Sequence, residues 1–237
     1  MNMKPFISLA FFAVSISLPL AATADILVSG TSDPWLAGMP NGSTASFGDT
    51  APAQSPAFAG NFSAGDVLKF TVSINPAAGP VGYCPGCTSP TPDGTGFNFH
   101  TTGAENGISN LNAPTNSLIG VFLGNDAPNG NPAPTTLDFG SIGTSFLMLS
   151  PVLQQAFFIG DGLTGTGTGT VQSFVAPTGA TRLFLGTMDG FGWYNNVGAY
   201  DVAINVNNPT VPLPGALPLI LSGLGLLGIT LRKRNAI

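Results

Sequence analysis

The chain has 237 residues and few charged side chains: six Lys or Arg, eleven Asp or Glu, and a formal net charge of −5. All eleven carboxylates lie between residues 25 and 206, where Lys69 and Arg182 are the only basic side chains, so this segment carries a net charge of −9. A segment this acidic repels phosphate backbones, which argues against nucleic acid as a partner.

Residues 1–24 are predicted to be a signal peptide. Lys4 supplies a positively charged first region, Phe6–Leu20 an apolar stretch too short to span a membrane comfortably, and Ala22-Thr23-Ala24 an A-x-A cleavage site. We therefore expect an exported protein whose mature chain begins at Asp25.

Residues 25–206 are predicted to form one exported domain of the all-β class. Its ~180 residues suffice for a sizeable core, and 32 Gly and 21 Pro in the chain leave little room for helix. Short apolar runs separated by turn residues are typical of a β-sandwich, which we expect to be jelly-roll-like. The apolar pattern predicts strands at Asp66–Ile74, Ser117–Leu123, Val171–Val175, Arg182–Thr187 and Gly198–Val206. Pro151–Phe158 is the one stretch that could form a short helix.

The chain has two cysteines, Cys84 and Cys87. In an oxidising compartment, two cysteines three residues apart most often form a local disulfide that pins a loop. A thioredoxin-like redox pair would lie at a helix start after a strand, which the flanking Pro and Gly disfavour. A zinc site would need a second pair of ligands. A disulfide is therefore the favoured interpretation.

Motifs for catalysis or cofactor binding are weak. Gly160–Gly165 has the G-x-G-x-x-G spacing of a dinucleotide-binding turn, but Thr-Gly repeats follow where a helix is needed, so a mobile hairpin loop is favoured. His100 is the only histidine; a Ser-His-Asp triad stays open because its members meet only in space, yet no nucleophile elbow supports one. Glu105 is the only Glu, which excludes a Glu-based acid and base pair. The prediction is that the chain is not an enzyme, with a secreted hydrolase as the less favoured alternative.

The loop at residues 186–198 lies between two predicted strands and concentrates oxygen donors. Asp189 offers a carboxylate, and Asn195 and Asn196 offer amide oxygens, all of which are ligand types that Ca²⁺ prefers. Trp193 and Tyr194 offer flat faces that could stack on a sugar ring. The alternative is a plain turn in which Trp193 caps the core.

A series of motifs along the body carries a family resemblance. In order, they are Gly65-Asp66-Val67, Ser117-Leu118-Ile119-Gly120, Phe174-Val175-Ala176-Pro177, and Asp189 followed by Asn195-Asn196 and a closing strand. The segment Phe58–Val206 thereby resembles the PA-IL-like galactose-binding family of calcium lectins. In that family, the Asp and the paired Asn of this loop bind Ca²⁺ and help to grip the sugar, with backbone carbonyls of the same loop and a distant Tyr.

The resemblance implies a galactose-binding-like sandwich with a Ca²⁺ site. Asp189, Asn195 and Asn196 would be its ligands, with the carbonyls of Trp193 and Tyr83 as weaker ones. Carbohydrate would be bound by Asp189, Trp193 and Asn196, which makes an extracellular polysaccharide the expected partner. The family's sugar-contacting His and Gln have no evident match before the mid-chain strand, so galactose specificity is not implied.

The C-terminal segment is predicted to be a sorting tail. Residues 207–215 form a stalk that includes the signature Val211-Pro212-Leu213-Pro214, and residues 216–237 combine an apolar run, long enough for a transmembrane helix, with the basic cluster Arg232-Lys233-Arg234. This tail resembles the PEP-CTERM tail of Gram-negative bacteria, in which Glu stands at the position of Leu213. The resemblance implies an exosortase-type processing enzyme as partner, transient anchoring in the inner membrane, and delivery to the cell surface or extracellular matrix. A plain C-terminal anchor is the alternative.

These patterns together predict a surface or exopolysaccharide-matrix protein of a biofilm, with a lectin-like domain that binds carbohydrate in the presence of Ca²⁺. A structural matrix protein without a sugar or metal ligand fits the composition nearly as well.

Overall fold

The computed structural model describes residues 25–207, which form an all-β domain with few helical residues, and this confirms the predicted class. The predicted signal peptide, the sorting signature and the predicted transmembrane helix lie outside the described residues. Within residues 25–207, no helix is long and apolar enough to cross a membrane.

The strands of the described segment are short. In chain order they are β1 (Ile26–Ser29), β2 (Ala57–Asn61), β3 (Val67–Ile74), β4 (Thr95–Phe99), β5 (Leu111–Thr115), β6 (Leu118–Leu123), β7 (Leu137–Asp138), β8 (Met148–Leu149), β9 (Ala156–Phe158), β10 (Leu163–Gly165), β11 (Thr168–Val171), β12 (Ser173–Val175), β13 (Arg182–Thr187) and β14 (Ala199–Asn207). The one α-helix among them, α1, is the single turn Phe139–Ile142, and 3₁₀ turns occur at Pro34–Leu36, Ser46–Gly48, Pro128–Gly130 and Trp193–Asn195.

The strands assemble into two larger sheets and two smaller ones. The larger sheets have the orders β1-β14-β3-β12-β8 and β2-β13-β6-β9, and the smaller ones are β4-β5-β7 and the hairpin β10-β11. All pairs are antiparallel except β12 with β8 and β5 with β7. A hairpin is present at the G-x-G-x-x-G segment, but the segment is not its loop: Leu163–Gly165 form strand β10, and Gly160, Asp161 and Gly162 are buried ahead of it.

The core lies where the two larger sheets meet. Every residue of β6 is buried, which explains its continuous apolar sequence. Phe157 of β9 and Phe174 of β12 belong to different sheets, and their ring centroids lie 5.7 Å apart. Phe70 of β3 packs edge-on against Phe174 at 5.1 Å. Large aromatic rings at this junction bury much of the apolar area that stabilises the domain.

Several predicted elements match and others need correction. The predicted strands at β3, β6, β13 and β14 are confirmed within one residue at each end, and β13 matches at both ends. The predicted stalk begins one residue too early, because Asn207 still belongs to β14 and pairs with Val67. The predicted strand Val171–Val175 is interrupted at Gln172, and its two parts enter different sheets.

The short helix predicted at Pro151–Phe158 is wrong. Its last three residues form β9 instead, where they are fully buried against β6. Gln154 has a φ of +64°, which a right-handed helix does not allow. The buried side chain of Gln154 donates to the carbonyl oxygens of Gly107 and Pro128, and these bonds hold the segment out of helical conformation.

The loop of interest lies between the two larger sheets. β13 ends at Thr187 in one sheet and β14 begins at Ala199 in the other, so residues 188–198 connect them. The Thr187 hydroxyl donates to the carbonyl oxygen of Gly30 at 2.8 Å, which fixes the exit of β13 beside the end of β1. At the other end of the loop, Gly198 has a φ of +80°, and a Cβ there would overlap the carbonyl oxygen of Pro80. The strands on both sides therefore fix the position of the loop.

Candidate calcium and carbohydrate site

Asp189 and Asn196 are brought together at the base of the loop. Both side chains are buried, and the Asn196 amide lies close enough to the Asp189 carboxylate to lower its pKa. The Gly190 amide donates to Asp189 Oδ1 at 2.6 Å, and Asn196 Nδ2 donates to the Gly30 carbonyl at 3.0 Å. These bonds orient both side chains and use one polar atom of each.

The other polar atom of each side chain has no partner among residues 25–207. Asp189 Oδ2 and Asn196 Oδ1 are buried and accept no hydrogen bond. Leaving a buried oxygen without a partner costs about 1–3 kcal/mol, so two at one place call for an explanation. Carboxylate and amide oxygens are both donor types that a hard cation takes as ligands.

Burial is the main influence on the Asp189 carboxyl and raises its pKa above the ordinary value for Asp. The amide N–H groups of Gly190 and Phe191 and the side chain of Asn196 act in the opposite direction, and the negative charge of Asp49 adds to the increase. A neighbouring cation would offset the cost of burying this charge.

An open cleft of about 470 Å³ lies beside this pair. It is lined by Tyr83, Cys84, Asn98, Thr115, Asp189, Phe191 and Asn195. Three of the five residues predicted to supply Ca²⁺ ligands (Tyr83, Asp189 and Asn195) thus line one cleft. Asn196 contacts Asp189, and Trp193 does not line the cleft. The volume of this cleft is in the range of sites that bind small molecules.

Cys84 and Cys87 form a disulfide, with an Sγ–Sγ distance of 2.00 Å. The loop that they close carries Tyr83 and Cys84 to the cleft. Gly82, just before it, pairs with both Thr88 and Val197, so this loop is anchored to the loop at residues 188–198. The disulfide therefore contributes a wall of the cleft.

The predicted role of Trp193 as a sugar-stacking face is wrong. Its side chain is 1% exposed, and its indole Nε1 donates to the Thr187 carbonyl at 2.9 Å. Its ring packs against Trp35, with 5.4 Å between ring centroids. The alternative interpretation, in which Trp193 caps the core, is the one that the structure shows. The Trp193 carbonyl already accepts the Asn196 amide at 3.0 Å.

Two buried acidic groups, Asp33 and Asp49, lie near Asp189. Asp33 is 0% exposed, and burial raises its pKa well above the usual value, with smaller contributions from the charges of Asp49, Glu105 and Asp189. Across residues 25–207, no three His, Cys, Asp or Glu side chains are arranged to hold a metal ion. A cation site here would depend on amide and carbonyl oxygens in addition to Asp189.

The side chain of His100 is buried and packed against other side chains of the domain. It is 2% exposed, its ring stacks on Trp35 at 3.7 Å, and its Nδ1 lies 2.7 Å from the Gly103 carbonyl oxygen. Burial lowers the pKa of His100 to about 4. His100 is not among the residues that line the cleft.

Three lining residues were not predicted from the sequence. Asn98 alternates with Phe97 and Phe99 in β4, and that alternation is a signal for a polar face. Phe191 is a large apolar residue between two glycines, a weaker signal. Nothing local distinguishes Thr115.

No known protein family, curated protein or solved structure matches this chain. The resemblance to calcium lectins therefore depends on the quoted motifs alone.

Proposed function

We propose that the domain binds Ca²⁺ and, through it, the hydroxyl groups of a carbohydrate. The observation that carries this proposal is the pair of buried, unpartnered oxygens, Asp189 Oδ2 and Asn196 Oδ1, next to an open cleft lined by oxygen donors. Ca²⁺ takes six to eight oxygen ligands. Asp189, Asn195, Asn196 and the carbonyl of Tyr83 supply fewer than that, so positions are left for ligand hydroxyls.

The donor chemistry also decides which cation the site would take. Oxygen donors without imidazole or thiolate select a hard cation over zinc or copper. A single carboxylate ligand supports only weak binding, on the order of the 10⁻⁴–10⁻³ M of extracellular modules. This is a concentration range that Ca²⁺ reaches outside cells and not in the cytoplasm, which suits an exported protein.

We further propose that the two larger sheets form a jelly-roll-like sandwich of the galactose-binding type. The contact between Phe157 and Phe174 across the sheets supports this arrangement.

We propose that the chain is exported and sorted through a PEP-CTERM-like tail. The support lies in the sequence: an A-x-A site precedes the domain, and a Pro-rich signature, an apolar run and a basic cluster follow it. The partners are an exosortase-type enzyme, the inner membrane during processing, and an extracellular polysaccharide. The destination is the cell surface or matrix of a Gram-negative bacterium.

Calorimetry with Ca²⁺ and a glycan array, run with Ca²⁺ or with a chelator, test the binding proposal. We expect weak Ca²⁺ binding by the parent and array signals that the chelator removes. Asp189→Asn keeps the shape of the side chain but removes its charge, and should weaken Ca²⁺ binding at least tenfold. Asp66→Asn is the matched control, because Asp66 lies in a turn where its carboxylate accepts only the Ser63 amide.

The competing function is a structural matrix protein with no ligand. It is favoured by the bonds that Asp189 and Asn196 make to Gly190 and Gly30, since these alone would stabilise the turn. Unchanged Ca²⁺ binding in Asp189→Asn, or an array without calcium-dependent signals, would favour that function. Product formation on the array would indicate a hydrolase instead.

A further inference from the structure

Exposed aromatic rings flank the cleft that the proposed function uses. Phe191 lines the cleft with 54% of its side chain exposed, and its ring centroid lies 4.9 Å from that of Phe47, which is 55% exposed. Tyr83, also exposed, lines the same cleft. Single exposed apolar residues are normal on protein surfaces. Two packed aromatic rings next to a ligand-sized cleft form an apolar wall. A contiguous exposed apolar patch of this kind marks a binding surface.

The wall is held in place by the backbone on both sides of Phe191. Before it, the carbonyl oxygen of Gly190 accepts the Thr101 amide at 2.9 Å. After it, the carboxylate of Asp49 accepts the amide of Trp193 at 2.9 Å. The Phe191 ring is thus presented by an anchored loop, which lowers the entropy cost of using it in binding.

The charge around the cleft is negative or neutral. Among the described residues, Lys69 and Arg182 are the only Lys or Arg, and neither lines the cleft. Arg182 donates to the carbonyls of Gly124 and Asp126, and it begins the strand that Asp189 follows. The two residues are therefore roughly 20 Å apart at about 3.3 Å per strand residue. This exceeds the screening length of about 8–10 Å.

The negative charge also limits what a bound cation could attract. Asp49 lies close enough to raise the pKa of Asp189, so Ca²⁺ would be offset by two carboxylates, not one. An anionic sugar would find no side-chain cation in the cleft and a domain with a net charge of −9 behind it. An uncharged sugar meets no such repulsion.

From the aromatic wall and the charge together, we infer that the cleft takes an uncharged pyranose of a neutral polysaccharide. Its hydroxyls meet the Asp189 side of the cleft and its apolar C–H face stacks on Phe191, supported by Phe47. This inference rests on the proposed carbohydrate-binding function. It adds the ligand class and assigns the stacking role, predicted for Trp193, to Phe191.

The test measures binding of the intact protein to a neutral hexopyranose polysaccharide and to its carboxylated derivative, both with Ca²⁺. We expect the neutral polymer to bind at least tenfold more tightly. Phe191→Ala should weaken binding of the neutral polymer at least tenfold, and Phe191→Trp should retain it. Tyr194→Ala is the matched control, because Tyr194 is an equally exposed aromatic (59%) of the same loop that does not line the cleft.

Calorimetry with Ca²⁺ on each variant separates this inference from the function on which it rests. We expect Phe191→Ala to bind Ca²⁺ as the parent does. If the parent binds the neutral polymer and Phe191→Ala binds it equally well, or if the carboxylated polymer binds more tightly, the inference is overturned while the proposed function stands. If the parent binds neither polymer, both are overturned.

Discussion

At the scale of single residues, Asp33 is the clearest source of pH-dependent stability. Its Oδ1 accepts the Trp35 amide at 2.9 Å, its Oδ2 is unpartnered, and burial raises its pKa well above the usual value. The folded protein therefore holds this proton more tightly than the unfolded chain does. The stability that Asp33 contributes is fully present below the ordinary Asp pKa of about 3.9, and is lost as the pH rises through the raised folded value.

Asp33→Asn should remove this dependence, because the amide keeps an acceptor for Trp35 and carries no charge. We expect the variant to be more stable than the parent at pH 7 by about 1–3 kcal/mol, with the difference shrinking toward pH 4. Thermal unfolding across this range measures it. Asp138→Asn is a control of opposite sign, since hydrogen bonds from Ser141 and Asn112 lower the pKa of Asp138. A parent that is more stable than Asp33→Asn at neutral pH would contradict the assignment.

Two neighbouring aromatic residues show how far the sequence determines the site. Trp193 is buried and Tyr194 is exposed, although both follow Gly192 in the same loop. Which of the two side chains is buried depends on partners far away in the chain. Trp35 contacts the indole ring, and Asp49 accepts both backbone amides. Residue type and spacing could place oxygen donors in this loop, but could not tell which aromatic faces solvent.

At the scale of elements, the 3₁₀ turn Trp193–Asn195 takes its N-terminal cap from a distant loop. Gly192 precedes the turn and has no side chain to accept its free amides. Asp49 replaces that cap: its Oδ2 accepts the Trp193 amide at 2.9 Å and its Oδ1 accepts the Tyr194 amide at 2.8 Å. The loop at residues 188–198 is thus ordered by a carboxylate outside it.

Asp49→Ala should destabilise the protein by about 1–3 kcal/mol, because two amides lose a charged acceptor. Amide hydrogen exchange at Trp193 and Tyr194 should accelerate more than elsewhere. Asp49→Asn should recover part of the loss, since its single amide oxygen still accepts. Asp66→Ala, which removes an exposed turn acceptor, should change stability by less than about 1 kcal/mol. Unchanged exchange at the turn in Asp49→Ala would show that the cap has no stabilising role.

The elements that the sequence predicts are those whose apolar pattern is local. β6 is buried throughout and β13 over most of its length, and their residue types alone favour a strand. The strands of the smaller β4-β5-β7 sheet lack this signal, because β4 is exposed throughout and contains Gly96, while β5 contains Pro114. They form by pairing with each other, with Phe97 opposite Pro114. Pairing between distant segments is not encoded in either strand alone.

At the scale of the whole molecule, charge divides the chain into three parts. The domain carries a net charge of −9, while four of the six basic residues lie in the two terminal segments, at Lys4 and at Arg232-Lys233-Arg234. Basic residues next to an apolar run stay on the cytoplasmic side of a membrane, and sparse basic charge favours translocation of the body. The distribution is what an exported domain between two membrane-directed signals needs.

The proposed sorting tail should determine where the domain is delivered. Deleting residues 211–237 should release the domain into the medium or periplasm, because the deletion removes both the Pro-rich signature and the predicted anchor. Cell fractionation with an antibody against the domain measures the change. Leu213→Glu, which restores the acidic residue of the PEP-CTERM signature, should leave delivery intact. If the truncated chain stays in the envelope as the parent does, the tail does not determine location. If the tail is only a plain anchor, the parent should instead stay in the inner membrane at full length.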